Sequence, residues 1–293
     1  MRNSRLALGT VQFGLPYGIA NTKGQVTREE TIALLQYASS AGLDTLDTAV
    51  AYGESEQRLG EIGIGEWKVV SKLPAMPETV ADIGVWVREE TSAALGRLRI
   101  PRLYGLLLHR PAQLLETRGE ALYQALAALK RTGVAQKIGV SVYGPEELDA
   151  LIPRFQFDLV QAPFNAIDRR LVTTGWLDRL RQAGVEVHVR SVFLQGLLLM
   201  NAEQRPFFAQ RWRELWGKWD AWLRANDLNA LQACLAIVLA EAAIDRVVVG
   251  FDNRRQLEEV VTVSGLDRRA SPLDLNCDDP ELINPSLWPK TGG

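Results

Sequence analysis

Cysteine and histidine are scarce in this 293-residue chain: two of each, Cys234 and Cys277, His109 and His188. With so few, and none near another, no Cys/His cluster of metal-ligand spacing exists and no disulfide framework can form. That usage is expected of a cytoplasmic protein without a structural metal. Charge of one sign is also lacking. Thirty-three basic residues stand against 35 acidic ones with no long basic run, which argues against a nucleic-acid partner. Long apolar runs are missing too. A membrane helix needs about 18 apolar residues, and the nearest candidate, LQACLAIVLAEAAI (231–244), is interrupted by Gln232 and Glu241. The opening MRNSRLALGTVQFG has too brief an apolar stretch for a secretory signal and reads as a first strand. The expected partner is a small molecule, with no nucleic acid and no membrane, and the protein a monomer or weak homo-oligomer.

What is present is alternation. Apolar residues make up 47% of the chain, enough for one large core, and short apolar runs alternate with segments of helical period. Strands are expected at 6–12, 44–49, 67–73, 103–110, 135–142, 157–164, 185–193 and 245–251. Helices are expected at 27–42, 55–63, 81–98, 120–133, 145–155, 169–184, 228–244 and 253–265. Eight strand–helix units imply a parallel sheet and fit an α/β fold, the (β/α)8 TIM barrel, with catalytic groups at the C-terminal strand ends. A doubly wound open sheet is the rival. It would carry a Gly-rich phosphate fingerprint after its first strand, and GTVQFGLPYG lacks that spacing. No linker divides the chain, so a single barrel domain over 1–293 is expected. Two segments break the rhythm: 195–227, a long loop after the seventh strand, and an irregular C-terminal tail, 265–293, expected near the barrel mouth.

Four residues sit at or just beyond the ends of neighbouring strands: Asp47 and Tyr52 in LDTAVAYG, Lys72 in VVSKL, His109 in LLLHRP. Taken singly each has a bland reading: a capping carboxylate, a loop aromatic, a solvated lysine, a core histidine. Together, an acid, a phenol, an amine and an imidazole at one mouth can hold a carbonyl oxygen and give it a proton. His188, mid-strand in VEVHVRS, reads as structural.

The strings LGTVQFG, LDTAVAYGESEQRLG, VVSKL, LLLHRP, KIGVSVYG, LVQAPFN and VVVGFDNRRQLEEV, in that order over about residues 5–262, resemble the aldo-keto reductase superfamily, in a bacterial branch. The resemblance implies reduction of an aldehyde or ketone, sugar-derived carbonyls included, to an alcohol. Tyr52 would be the general acid. A free phenol loses its proton only near pH 10, so the resemblance gives Lys72 the task of stabilising the phenolate. Asp47 would hold Lys72, and His109 would orient the carbonyl oxygen.

The resemblance also implies a nicotinamide cofactor, NADPH, with NADH the alternative. Gly9 and Thr10 would approach its nicotinamide end, and Ser141 and Gln161 would bind the carboxamide, an amide needing both donors and acceptors. The asparagine usual after the serine is Val142. Where the family often stacks an aromatic on the nicotinamide ring stands Arg190, whose planar guanidinium can stack on a ring or reach a phosphate. The bland reading is a salt-bridged arginine. Ser191 and the stretch Phe193 to Leu197, with Gly196, would follow the diphosphate. Gly250 and the amides up to Asn253 open a helix suited to phosphate. Gln256 replaces the arginine commonly used for a 2′-phosphate and Val260 the asparagine near adenine, while Glu259 matches; Arg254 and Arg255 would supply the missing charge. No metal is implied.

Trp212, Trp216, Trp219 and Trp222 share a helix face by spacing, and such stripes are usually core, so packing against the barrel is expected rather than a pocket lining. Two other readings are a cofactor-binding regulatory or interaction subunit on the same fold and an unrelated barrel lyase or isomerase. The first has no need of four intact site residues. The second leaves the eighth-strand motif unexplained.

Overall fold

Leucines at 106–108 leave β4 no polar face, and the chain buries them all. The computed structural model describes residues 5–265 and 275–289. In it β4 (Leu103–Leu108) is the fourth of eight parallel strands closed into a (β/α)8 barrel. The others are β1 (Leu6–Gly9), β2 (Thr45–Asp47), β3 (Lys68–Leu73), β5 (Ala135–Ser141), β6 (Leu159–Pro163), β7 (Glu186–Arg190) and β8 (Arg246–Gly250). Each pairs with its neighbours in sequence order, and β8 closes on β1 with Gly9 beside Gly250. Val70, Leu107 and Leu159 form a small apolar cluster of their own. Beside it β5 and β6 approach so closely that a Cβ on Gly139 would stand 1.7 Å from the Leu159 carbonyl oxygen.

Helices follow the strands: α1 (Val11–Gly14), α2 (Arg28–Ser40), α3 (Ser55–Ile62), α4 (Ile83–Leu98), α5 (Gly119–Arg131), α6 (Glu146–Leu151), α7 (Arg170–Thr173), α8 (Trp176–Gln182), α9 (Arg213–Ala225), α10 (Ala230–Ala240), α11 (Arg254–Ser264) and α12 (Pro280–Ile283). Their starts are specified locally. Thr27, Asp82 and Asn253 accept the amides of Glu30, Val85 and Gln256, and Asn229 forms a full capping box with Gln232; each cap contributes about 1 kcal/mol. Among the described residues no helix is long and apolar enough to cross a membrane.

Four expectations change. The first strand stops at Gly9, and α1 follows at once. The expected helix over 169–184 is two, divided at Gly175, whose φ of +77° no ordinary helical residue adopts. The 195–227 segment is ordered into 3-10 turns, Leu194–Leu199 and Phe207–Trp212, and the 13-residue α9. Its tryptophans pack as core. Trp219 is fully buried and stacks on Trp222 at 5.7 Å, while Trp216 donates its indole N–H to the Ala209 carbonyl. Residues 266–274 and 290–293 of the expected irregular tail lie outside the described residues. The rest of the tail carries α12 and places Cys277 N on the Ile167 carbonyl at 2.8 Å, beside the loop that leaves the C-terminal end of β6.

Candidate active site

Asp47 is the last residue of β2 and Lys72 the fifth of β3, so adjacent strands deliver them to one end of the barrel. Lys72 is fully buried. Its Nζ donates to Asp47 Oδ1 at 2.7 Å and to the Thr48 carbonyl at 3.0 Å. The second oxygen of Asp47 accepts from Gln161 Nε2 at 2.6 Å, and Gln161 Oε1 accepts from Ser141 Oγ at 3.2 Å. A continuous polar chain thus crosses the mouth from β5 and β6 to β2 and β3. Burial alone would drive the Lys72 proton off; the Asp47 carboxylate and then Tyr52 outweigh it and raise the pKa.

Tyr52 lies in the loop after β2, and that loop rests on α1. A Cβ on Gly14 would fall 1.8 Å from the Tyr52 carbonyl oxygen, so only glycine permits the contact, and Gly53 at φ +54° turns the chain toward α3. Behind the loop, buried Ser55 donates to Thr10 at 2.8 Å, and Thr10 Oγ1 donates to the Asp47 carbonyl at 3.0 Å. Glu56, buried in the same turn, accepts from Ser71 and pairs with Arg97 at 2.7 Å, pinning α3 to β3 and α4. The Tyr52 ring lies 5.2 Å from Lys72 Nζ and meets the His109 ring edge-on at 5.9 Å. His109 follows β4 directly. Burial, then the Lys72 and Arg190 charges, lower its pKa to about 4, so it is a neutral imidazole at ordinary pH. All four candidate residues therefore share one mouth. A neutral imidazole and a phenol, backed by a buried ammonium, can present two hydrogen-bond donors to one carbonyl oxygen.

Two further residues join them: Tyr17, a weaker pocket-wall candidate from its place in the loop after the first strand, and Gln12, which sequence reasoning missed. Tyr17, from the loop after α1, accepts at its hydroxyl from Gln195 Nε2 at 3.2 Å, linking the loops that follow α1 and β7. Its pKa is raised, by burial first and then by Tyr52. Gln12 lays its amide over Gly250, and its Oε1 is buried without a partner among the described residues. Its position two residues past Thr10 was the only signal.

The sequence profile of the Aldo/keto reductase family matches residues 5–269. The chain belongs to that family. Solved structures agree with the fold. A putative aldo-keto reductase from Pseudomonas aeruginosa is 24% identical with a TM-score of 0.65, over 89% of each chain. Aldo-keto reductase AKR11C1 from Bacillus halodurans, in its holo form, is 19% identical with a TM-score of 0.70, over 92% of this chain and 89% of that one. No curated protein matches.

As an aldo-keto reductase the protein is an oxidoreductase of a family that uses nicotinamide cofactors, and its mouth can be tested for fit. Ser141 and Gln161, both buried, keep one amide N–H and several lone pairs beyond their mutual bonds, the donor and acceptor set a carboxamide needs. The orphaned Gln12 oxygen beside Gly250 awaits a donor. Thr10 is different: fully buried, its hydroxyl is committed to Asp47, so it supports that residue's backbone instead of facing a ligand. Among the described residues Arg190 has no salt bridge, contrary to the bland reading. Its guanidinium lies 5.0 Å from the Tyr143 ring and donates to the Val142 carbonyl at 2.9 Å. Ser191 and Gln195 adopt φ of +63° and +53°, and Gly196 +93°, a strained turn after β7 into which Phe193 packs partly buried. Such strain often marks functional segments.

At α11 the charges are less free than the sequence suggests. Arg254 pairs with Glu258 at 2.6 Å and lies over the Tyr37 ring, and Arg255 pairs with Glu259 at 3.4 Å. Asn253 caps the helix, and the Gln256 side chain accepts from Asp252 N. The Glu30 carboxylate accepts the Arg254 amide, and Val260 is buried.

Proposed function

We propose that the protein reduces an aldehyde or ketone, sugar-derived carbonyls included, to an alcohol. The observation that carries this reading is the fully buried Lys72 ammonium, paired with Asp47 and set against the Tyr52 ring. A charge held there at such desolvation expense stabilises negative charge developing on the phenol oxygen. Tyr52 gives its proton to the carbonyl oxygen. Lys72 compensates the charge left on Tyr52, and Asp47 fixes Lys72. Neutral His109 orients the carbonyl by donating a hydrogen bond. A nicotinamide would supply the hydride, and Ser141 and Gln161 would hold it through its carboxamide, with Gly9 and Gln12 at the β8 side.

For the cofactor we infer NADPH. The Arg254 and Arg255 pairs with Glu258 and Glu259 are exposed i, i+4 contacts worth only about 0.5 kcal/mol, so either guanidinium exchanges readily for a 2′-phosphate. Glu30, whose carboxylate already sits on the first turn of α11, favours NADH. Oxidation of NADPH and NADH against an aldehyde and ketone panel, with Tyr52→Phe in parallel, tests both points. Turnover with NADPH that disappears in Tyr52→Phe is the expected result. Full activity in that variant would remove Tyr52 from its role. Tight cofactor binding with no turnover on any carbonyl would favour a binding subunit instead.

A further inference from the structure

Among the described residues, every buried or half-buried charged side chain at the mouth except one has its counterpart. Lys72 is neutralised by Asp47, and His109 is neutral. Arg190, the last residue of β7, has no carboxylate within ion-pair distance among the described residues. The contrast with other partly buried arginines is clear: Arg97 pairs with Glu56, Arg170 with Asp168, Arg205 with Asp220 and Arg246 with Asp44. Glu147, an acid in electrostatic reach of Arg190, turns its carboxylate onto the Tyr143 and Gly144 amides.

The guanidinium is also held in place. It donates to the Val142 carbonyl at 2.9 Å and to Ser191 Oγ at 3.3 Å, and it lies over the Tyr143 ring. These contacts fix its plane and use two of its five N–H donors. In the eight-strand ring β7 stands opposite β3, so Arg190 and Lys72 enter the mouth from facing sides. A half-buried cation without a counter-ion is unfavourable, and a guanidinium with a fixed plane and free donors is suited to a carboxylate or phosphate.

We propose that Arg190 anchors an anionic group on the carbonyl substrate, so that the enzyme takes aldehydes or ketones bearing a carboxylate or phosphate in preference to neutral ones. The proposal rests on the carbonyl-reductase reading above. Placement favours the substrate over the cofactor diphosphate: Arg190 enters the mouth at the end of β7, opposite the strand that carries Lys72, and is held against Val142 and Tyr143. Its charge also reaches His109 and Tyr17. Arg110, exposed immediately after His109 and without a carboxylate partner among the described residues, adds a second cation at that rim.

The test compares 4-carboxybenzaldehyde with its methyl ester in the wild type, Arg190→Gln and Arg190→Lys. Calorimetry on the same proteins measures binding of the cofactor and, to the cofactor-loaded protein, of 4-(hydroxymethyl)benzoate. The wild type should prefer the carboxylate by about tenfold or more in kcat/KM, chiefly through KM, as expected for one charge-assisted hydrogen-bond pair. Arg190→Gln should bring the ratio near one and abolish benzoate binding, and Arg190→Lys should restore part of both. A preference unchanged in Arg190→Gln, or a wild type that favours the ester, would overturn the proposal. So would weaker cofactor binding with both aldehydes slowed alike, which would assign the guanidinium to the diphosphate. If neither aldehyde turns over, the reductase reading fails for these substrates, and Arg190-dependent benzoate binding still decides whether the anion anchor exists.

Discussion

Lys72 Nζ lies 5.2 Å from the centre of the Tyr52 ring, while its hydrogen bonds go to Asp47 and Thr48. The ammonium is thus committed to the carboxylate and faces the phenol only as a charge. Its burial is complete, so the pair cannot be broken cheaply. Asp47→Ala should destabilise the fold by about 3–5 kcal/mol, the range for leaving one partner of a buried pair unmatched. Replacing both together, Asp47→Leu with Lys72→Met, should recover much of that loss while leaving carbonyl reduction abolished. Urea denaturation and steady-state rates on the wild type and the two variants separate the two effects. A double variant that retains turnover would show that the pair does not serve the reaction.

His109 offers a pH test. Its pKa falls to about 4 through burial, the Lys72 charge and the Arg190 charge, against about 6.5 in an unfolded chain. Between those values the unfolded state holds the extra proton, so stability rises with pH across the window. The contribution is complete above about pH 6.5 and is lost as pH falls toward 4. Proton NMR should show the His109 ring titrating near pH 4, with His109→Gln identifying the resonance and flattening the stability slope between pH 4 and 6.5. A midpoint near 6.5 would mean that the ring is solvated and carries a charge in the mouth at mildly acidic pH.

Much of this site was legible in the chain. The run LYGLLLHR announces a strand buried on all sides with a polar end, and LDTAVAYG a strand followed by a tyrosine, so the barrel followed from local pattern, while the four mouth residues were singled out mostly by the resemblance to the aldo-keto reductases. What stayed hidden depends on distant partners. Nothing near Arg190 in sequence says that no carboxylate among the described residues pairs with it, and nothing near Thr10 says that its hydroxyl would be committed to Asp47. The helix break at Gly175 was obscured by apolar residues that keep helical period on both sides. The order of 195–227 comes from tryptophans that pack only once the barrel is formed.

Gly14 has a role in placing Tyr52 that can be isolated. A methyl group there would overlap the Tyr52 carbonyl oxygen, at 1.8 Å, and approach the Ser55 amide at 2.6 Å. Backbone atoms cannot yield as a side-chain tip can, so Gly14→Ala should push the Tyr52 loop away from Lys72 and His109. Misplacement of an acid by about 1 Å is enough to reduce a rate by about a hundredfold. The expected signature is a large fall in kcat with cofactor affinity, measured by fluorescence titration, little changed. An equal loss of both would mean that the loop also supports the cofactor.

At the opposite end of the barrel Glu186 gathers three donors. It accepts from His188 and from Tyr104, each at 2.7 Å, and pairs with Lys137. Desolvation works against its charge, but the bonds from His188, Lys137 and Tyr104 win and hold its carboxyl well below the usual range. A carboxylate depressed in the folded state stabilises it above its unfolded pKa, about 4.3, and that stabilisation drains away as pH falls further. Acid unfolding should therefore begin below about pH 4 in the wild type. Glu186→Gln should lower stability at pH 7, because His188, Tyr104 and Lys137 lose the negative charge and one of the two oxygens they share, and should make the acid limb shallower. Catalysis should survive at the other end of the barrel, with kcat unchanged where the variant remains folded. Thermal melts at pH 3, 5 and 7 measure the slope, and a Glu186→Gln melt that falls as steeply with acid as the wild type would assign acid sensitivity to other carboxylates.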